Sequence, residues 1–193
     1  MIALDLFCGL GGWSDGLAAE GFRVVGVELV DFVAKEYKHD VILANCCNLP
    51  IRDGVPWDLV VGSPPCRDFT NWAWLQELRT KGKWKRSRDI EGGLRLVYAF
   101  LDYVKKAKPR YWLMENVPGL VEYLDIKPKQ KTPLTKGKWR CFWGNYPAFL
   151  VPRDYGHILH VEAKGPLKSW LRAVIPLPVA QALGRAVHDM LVP

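Results

Sequence analysis

Short apolar runs recur along the chain, each closed by a turn cluster and most followed by a stretch with helical spacing. Residues 2–7 (Ile-Ala-Leu-Asp-Leu-Phe), 22–27, 41–44, 57–61 and 111–114 read as strands, because continuous apolar runs suit strands covered on both faces. Between them, residues 12–19, 31–38 and 94–106 read as helices; in the last, Leu94, Val97, Tyr98, Leu101 and Val104 form one stripe and Pro109 stops the pattern. Strands alternating with helices predict an α/β fold, a doubly wound sheet in one domain over residues 1–193. Residues 139–144, with either 149–151 or 158–161, are expected to add antiparallel strands at the far edge and make the sheet mixed. A helix that starts at a proline is expected within 175–187.

The polar residues that interrupt this pattern gather at the carboxyl ends of the strands, where open α/β sheets bind ligands. The first strand runs into Cys8-Gly9-Leu10-Gly11-Gly12, a strand-turn-helix unit whose glycines let a backbone approach a ligand closely. The second ends at Glu28, placed to accept hydrogen bonds from two ribose hydroxyls. The third leads into Asn45-Cys46-Cys47, where the Asn45 side-chain oxygen suits an exocyclic amine. The fourth opens into Gly62-Ser63-Pro64-Pro65-Cys66-Arg67-Asp68, in which two prolines fix the backbone ahead of a cysteine. The fifth opens into Glu115-Asn116-Val117, expected on the same rim as Cys66.

Charge adds a partner to this frame. The chain carries a formal net charge of +7. Its cations gather in two loops, expected at about 71–93 and 125–138; Trp84 lies inside the first, and cations with an interleaved aromatic suit phosphates and bases. No long apolar run points to a membrane, and the amino terminus shows no targeting pattern, so a cytoplasmic protein is expected. Cys8, Cys46, Cys47, Cys66 and Cys141 lack the paired spacing of a disulfide framework or zinc site, so free thiols are expected, one of them a nucleophile.

Taken together and in order, Asp5-Leu6-Phe7-Cys8-Gly9-Leu10-Gly11-Gly12, Glu28, Pro64-Pro65-Cys66 and Glu115-Asn116-Val117 resemble the cytosine-C5 DNA methyltransferase family, firmly from residue 4 to about 120. The resemblance implies the Rossmann-like fold of S-adenosylmethionine-dependent methyltransferases, with S-adenosylmethionine as cofactor and S-adenosylhomocysteine as product. It places Asp5, Phe7, Cys8, Gly9, Leu10, Gly11, Glu28, Leu29, Asn45, Cys46 and Pro65 around that cofactor. It implies Cys66 as the nucleophile adding to cytosine C6, Glu115 acting on N3, and Arg140 on O2, with Asn116 bracing the cysteine loop. The implied partner is DNA, double-stranded with the target cytosine flipped out.

Three features depart from the family pattern. Arg67 stands where glutamine usually follows the cysteine, and Arg172-Ala173-Val174-Ile175-Pro176 stands where the last motif has an asparagine. The recognition region, at about 141–172, is very reduced, so specificity is expected from the basic loops, a second subunit or a separate partner. Arg67 or Arg140 is expected to favour a Cys66 thiolate. Two other readings use the same residues: an RNA cytosine-C5 methyltransferase, and a catalytically silent nucleic-acid-binding module. The intact Cys66, Glu115 and Arg140 set weighs against the second.

Overall fold

The computed structural model describes residues 1–51, 55–70, 88–135, 138–152 and 165–192. Seven strands form one sheet: β1 (Ile2–Leu6), β2 (Arg23–Glu28), β3 (Asp40–Leu43), β4 (Leu59–Gly62), β5 (Tyr111–Asn116), β6 (Gln130–Thr135) and β7 (Lys138–Asn145). Their order is β3-β2-β1-β4-β5-β7-β6. The first five run parallel, while β7 lies antiparallel to β5 and β6 antiparallel to β7. The helices are α1 (Gly12–Ala19), α2 (Asp31–Ala34), α3 (Ile90–Ala107), α4 (Lys168–Ala173) and α5 (Leu177–Leu191).

Side chains alternate between the two faces of the sheet. Ala3, Leu59, Val61, Leu113 and Phe142 pack with Trp13 and Leu17 of α1 and with Val179, Leu183 and Val187 of α5. Leu4, Leu6, Val60, Met114 and Trp143 pack on the other side with Val97, Phe100 and Val104 of α3. The α1–α5 seam is close because Gly16 faces α5; a Cβ there would overlap Ala180. On the α1 side the alternation Ala3, Asp5 in β1 and Leu113, Glu115 in β5 turns from apolar to acidic at the carboxyl end of each strand, and both acids are buried.

Strand order reverses beside β1: the chain goes from β1 to β2 and β3 on one side, then returns to β4 on the other. The loops after β1 and β4 therefore diverge and leave a crevice at their carboxyl ends. Leu6 pairs with Gly62, so the glycine turn and the Pro-Pro-Cys turn leave the sheet side by side.

Several elements differ from the sequence expectation. The helix expected over 31–38 is a single turn; Glu36 and Tyr37 donate to carbonyls three residues back, and the tightened chain brings Tyr37 inward. Much of the basic loop at 125–138 is β6, an edge strand whose Pro133 and exposed Lys131 suit an unpaired sheet edge. Residues 149–151 form no strand; Phe149 instead stacks on Phe142 at 6.0 Å and meets Tyr146 at 5.8 Å. Helix α4 lies in the expected recognition region and was not foreseen. The alternative strand at 158–161 and the basic run at 71–87 lie outside the described residues. Among the described residues, no helix is long and apolar enough to cross a membrane.

Candidate functional site

The glycine turn after β1 is held by its own backbone. Cys8 N donates to Val27 O at 3.1 Å and Gly11 N to Cys8 O at 2.9 Å. Gly9 and Gly11 take left-handed φ values of 53° and 86°, and Phe7 adopts φ 60° without being a glycine. Such a conformation costs a non-glycine residue roughly 1–2 kcal/mol and persists where the surrounding structure fixes it. Glu28 ties β2 to this turn: Oε2 accepts from Gly9 N at 3.1 Å, and Oε1 accepts from Leu29 N and Val30 N, each at 2.9 Å. The acid expected to bind a ribose thus also shapes the turn on which a ligand would lie.

Beneath the turn, Asp5 is buried. Its Oδ2 accepts from Ser14 Oγ at 2.6 Å, and Ser14 Oγ is 2.5 Å from Tyr37 Oη. Among the described residues, Asp5 Oδ1 is buried with no hydrogen-bond partner. A buried carboxyl oxygen left without a partner costs free energy that the protein itself does not recover. Burial, opposed by the Ser14 hydrogen bond and assisted by Glu28, pushes the Asp5 carboxyl up from 3.8 to about 7. The folded protein holds this proton in a range where the unfolded chain has lost it, so the stability gained is complete below 3.8 and disappears as pH rises through about 7. Urea denaturation of ligand-free protein is expected to show a loss between pH 5 and 8 to which Asp5 contributes about 2–3 kcal/mol, and Asp5→Asn removes that contribution. An unchanged pH dependence in Asp5→Asn would contradict it.

The other positions expected around a ligand are arranged less uniformly. Leu29 is exposed and Leu10 partly exposed. Cys8 and Cys46 are buried, and burial pushes the Cys46 thiol up to about 12. Asn45 Oδ1 accepts from Cys47 N at 2.9 Å, so the oxygen expected to meet an amine caps its own turn. Pro64 is buried and Pro65 exposed.

Across the crevice, Cys66 leads into the short turn Arg67–Phe69 and is half-buried. Asn116 braces this loop: Nδ2 donates to Pro64 O at 2.9 Å, while Oδ1 accepts from Val117 N at 2.9 Å. Asp68, also buried, accepts from Asp89 N at 3.2 Å and ties the loop to the start of α3. Asn116→Ala strands two buried backbone groups, so a loss of about 2 kcal/mol is expected, read as a Tm lower by about 4–8 °C.

Glu115 lies in β5 itself, one residue before the strand ends, rather than in the loop beyond it. Arg140 of β7 reaches it across the antiparallel pair, with Nε 2.7 Å from Glu115 Oε1. The side chains are 7% exposed for Glu115 and 17% for Arg140, so this pair is poorly screened by water. Trp13 Nε1 donates to Ser63 Oγ at 3.0 Å, and the Ser63 side chain hydrogen-bonds Glu115. Burial pushes the Glu115 carboxyl up, while Arg140 and Ser63 pull the other way.

These charges correct the expectation of a cation-stabilised thiolate at Cys66. Burial raises the thiol first and Glu115 raises it further, so the pull of Arg140 is outweighed. Arg67 turns to Asp68 at 3.5 Å and stays largely in water. The resting cysteine is therefore held toward its thiol form.

The structure thus gathers two sets on one rim: Asp5, Phe7, Gly9 and Glu28 at the ends of β1 and β2, and Cys66, Glu115 and Arg140 at β4, β5 and β7. Sequence reasoning missed Ser14, Tyr37, Trp13 and Ser63, the side chains that orient the two buried acids. Their signal was weak: two hydroxyls and two aromatics at positions that also suit ordinary turn and core residues.

The model of the family described as C-5 cytosine-specific DNA methylase matches residues 1–130. The Type II methyltransferase M.AplI of Arthrospira platensis is 30% identical over 131 residues, which is 63% of this chain and 32% of that protein. The Type II methyltransferase M.HindV of Haemophilus influenzae is 30% identical over 128 residues, 61% of this chain and 38% of that protein. The chain therefore matches well under half the length of these relatives. A solved structure described as a DNA modification methyltransferase encoded within an E. coli prophage shares the fold, with a TM-score of 0.54 and 22% identity over 75% of this chain and 46% of that one.

Proposed function

This chain belongs to the C-5 cytosine-specific DNA methylase family, and on that premise we propose that it transfers a methyl group from S-adenosylmethionine to carbon 5 of cytosine in DNA. The observation that carries this reading is the buried Arg140–Glu115 pair at 2.7 Å whose charges act on the Cys66 thiol. A nucleophile, an acid and a cation within one electrostatic neighbourhood are what addition to an aromatic pyrimidine requires.

Cytosine C6 is a poor electrophile, so the ring must gain a proton as it gains a nucleophile. The Cys66 thiol gives its proton to solvent as Sγ forms a bond to C6, while Glu115, whose burial favours its protonated form, supplies a proton at N3. Arg140 fixes the orientation of that carboxyl and binds O2, and Asn116 holds the cysteine loop in place. The ring electrons then reside at carbon 5, which is nucleophilic. Loss of the C5 proton to solvent after methylation returns an electron pair to the ring, the C6–S bond breaks with its electrons on sulfur, and N3 returns its proton to Glu115.

When bound, S-adenosylmethionine supplies a methyl group made electrophilic by a sulfonium. The residues present fit it: Asp5 Oδ1 lacks a partner among the described residues, Gly9 and Gly11 present backbone without a Cβ, and Glu28 stands at the tip of β2. Asp5, Phe7, Cys8, Gly9, Leu10, Gly11, Glu28, Leu29, Asn45, Cys46 and Pro65 would surround it. A target carbon inside a duplex is out of reach, so the cytosine is flipped out. The β6–β7 hairpin offers a basic, aromatic contact surface, with Lys131 over the Trp139 ring at 5.8 Å, and a second subunit or separate partner completes recognition. Incubation with methyl-labelled cofactor and cytosine-containing duplex is expected to label carbon 5; label only in a parallel RNA arm would move the substrate to RNA, and none in either would sink the reading.

A further inference from the structure

Helix α4 lies across the glycine turn. A Cβ built on Gly9 would stand 3.5 Å from Trp170 Cδ1, so the indole closes over the backbone on which a ligand would rest. The same indole meets Phe32 edge-on, with ring centroids 5.5 Å apart and planes at 79°. Phe32 belongs to α2, just past the Glu28 turn, and remains 45% exposed; nearby Leu29 is 62% exposed. Large apolar side chains left in water beside a glycine turn and an indole have the composition of a ligand-site wall.

The geometry of the pair adds a charge preference. In an edge-on pair, the ring that presents its edge keeps both faces uncovered by its partner. An aromatic face is electron-rich and attracts cations. S-adenosylmethionine carries a positive sulfur, whereas the sulfur of S-adenosylhomocysteine is a neutral thioether. We propose that Trp170, with Phe32, is an aromatic wall of the cofactor site that binds the sulfonium of S-adenosylmethionine in preference to the neutral product. This inference rests on the cofactor reading above and extends it to two residues outside the motifs that carry the family resemblance. It gives α4 a role in product release, since the wall loosens its hold once the sulfur loses its charge.

Isothermal titration of the whole chain with S-adenosylmethionine and, separately, S-adenosylhomocysteine tests the wall without relying on turnover. Trp170→Leu is expected to weaken S-adenosylmethionine about 10-fold and the homocysteine product about 2-fold or less, while Trp170→Phe keeps most of the preference. Phe32→Leu, at an exposed position that spares the core, is expected to weaken S-adenosylmethionine about 3-fold. Ligand-free melting curves identify a variant that fails to fold, and Phe32→Leu then decides the matter. Equal losses for both ligands, as a merely structural role would give, or no loss for either, overturn the wall. Wild-type protein that binds neither ligand overturns the cofactor reading itself.

Discussion

Cys66→Ala is expected to lower methyl transfer to cytosine by roughly 10⁴-fold or more, the scale on which removal of a covalent nucleophile acts. Cofactor affinity should stay within about 2-fold of wild type, because a side chain that acts on the base contributes to the chemistry and little to cofactor binding. The resting thiol sharpens the expectation. Burial first and Glu115 second hold the Cys66 proton in place, so the cysteine should react slowly with alkylating reagents in the free protein. A duplex bearing 5-fluorocytosine tests the nucleophile directly. With wild type and cofactor it should yield a denaturation-resistant complex, because fluorine cannot leave as the C5 proton does; with Cys66→Ala it should yield none. Equal labelling of ordinary duplex by both proteins would remove Cys66 from the mechanism.

Glu115→Gln is expected to lower single-turnover methyl transfer by about 10²- to 10⁴-fold, the range for a general acid. Gln can still accept a hydrogen bond from Arg140, so the fold should tolerate this change. Glu115→Ala instead leaves a largely buried guanidinium unpaired, at a cost of about 3–5 kcal/mol. The pH profile separates proton transfer from simple positioning. Burial raises the Glu115 carboxyl above the usual carboxylate range, so the protonated form persists toward neutrality and is lost at higher pH. Wild-type single-turnover rates should therefore fall on the alkaline side as Glu115 ionises, and the Gln variant should lack that limb. The same alkaline limb in Glu115→Gln would assign it to another group.

The two variants probe features that differ in how far the sequence reveals them. The Pro-Pro-Cys turn is legible because its rigidity comes from adjacent residues: the prolines fix φ locally, and the apolar run before them marks the end of a strand. The glycine turn is legible for the same reason, since its left-handed conformations are requirements of single residues. Glu115 is legible as a residue, but its membership of β5 is not, because an acid at a strand end looks the same in sequence as one in the following loop. Arg140 was expected from a resemblance, while its pairing with Glu115 depends on two strands running antiparallel in one register.

The misses have physical causes of the same kind. β6 carries Lys131, Thr132 and Pro133, a composition that suits a loop, and it becomes a strand because β7 offers it an edge. α2 stops after one turn because the chain tightens and carries Tyr37 inward to Ser14. α4 has no buried residues, so periodicity gave no reason to expect it. Cys66 was expected to sit under a favourable cation, and the structure instead surrounds it with burial and a carboxylate that outweigh Arg140.

Sequence by itself determined the α/β alternation and the turns that end β1 and β4, and it placed Glu28, Cys66 and Glu115 as chemical types at strand ends, while Asp5 and Arg140 entered through the family resemblance. Only the tertiary structure decided that Asp5 is an orphaned, proton-holding acid, that Ser63 and Trp13 orient Glu115, and that Trp170 closes over Gly9. Those properties arise from desolvation and from contacts between residues far apart in sequence. They come into being when the reversal of strand order beside β1 brings the separate turns to one crevice.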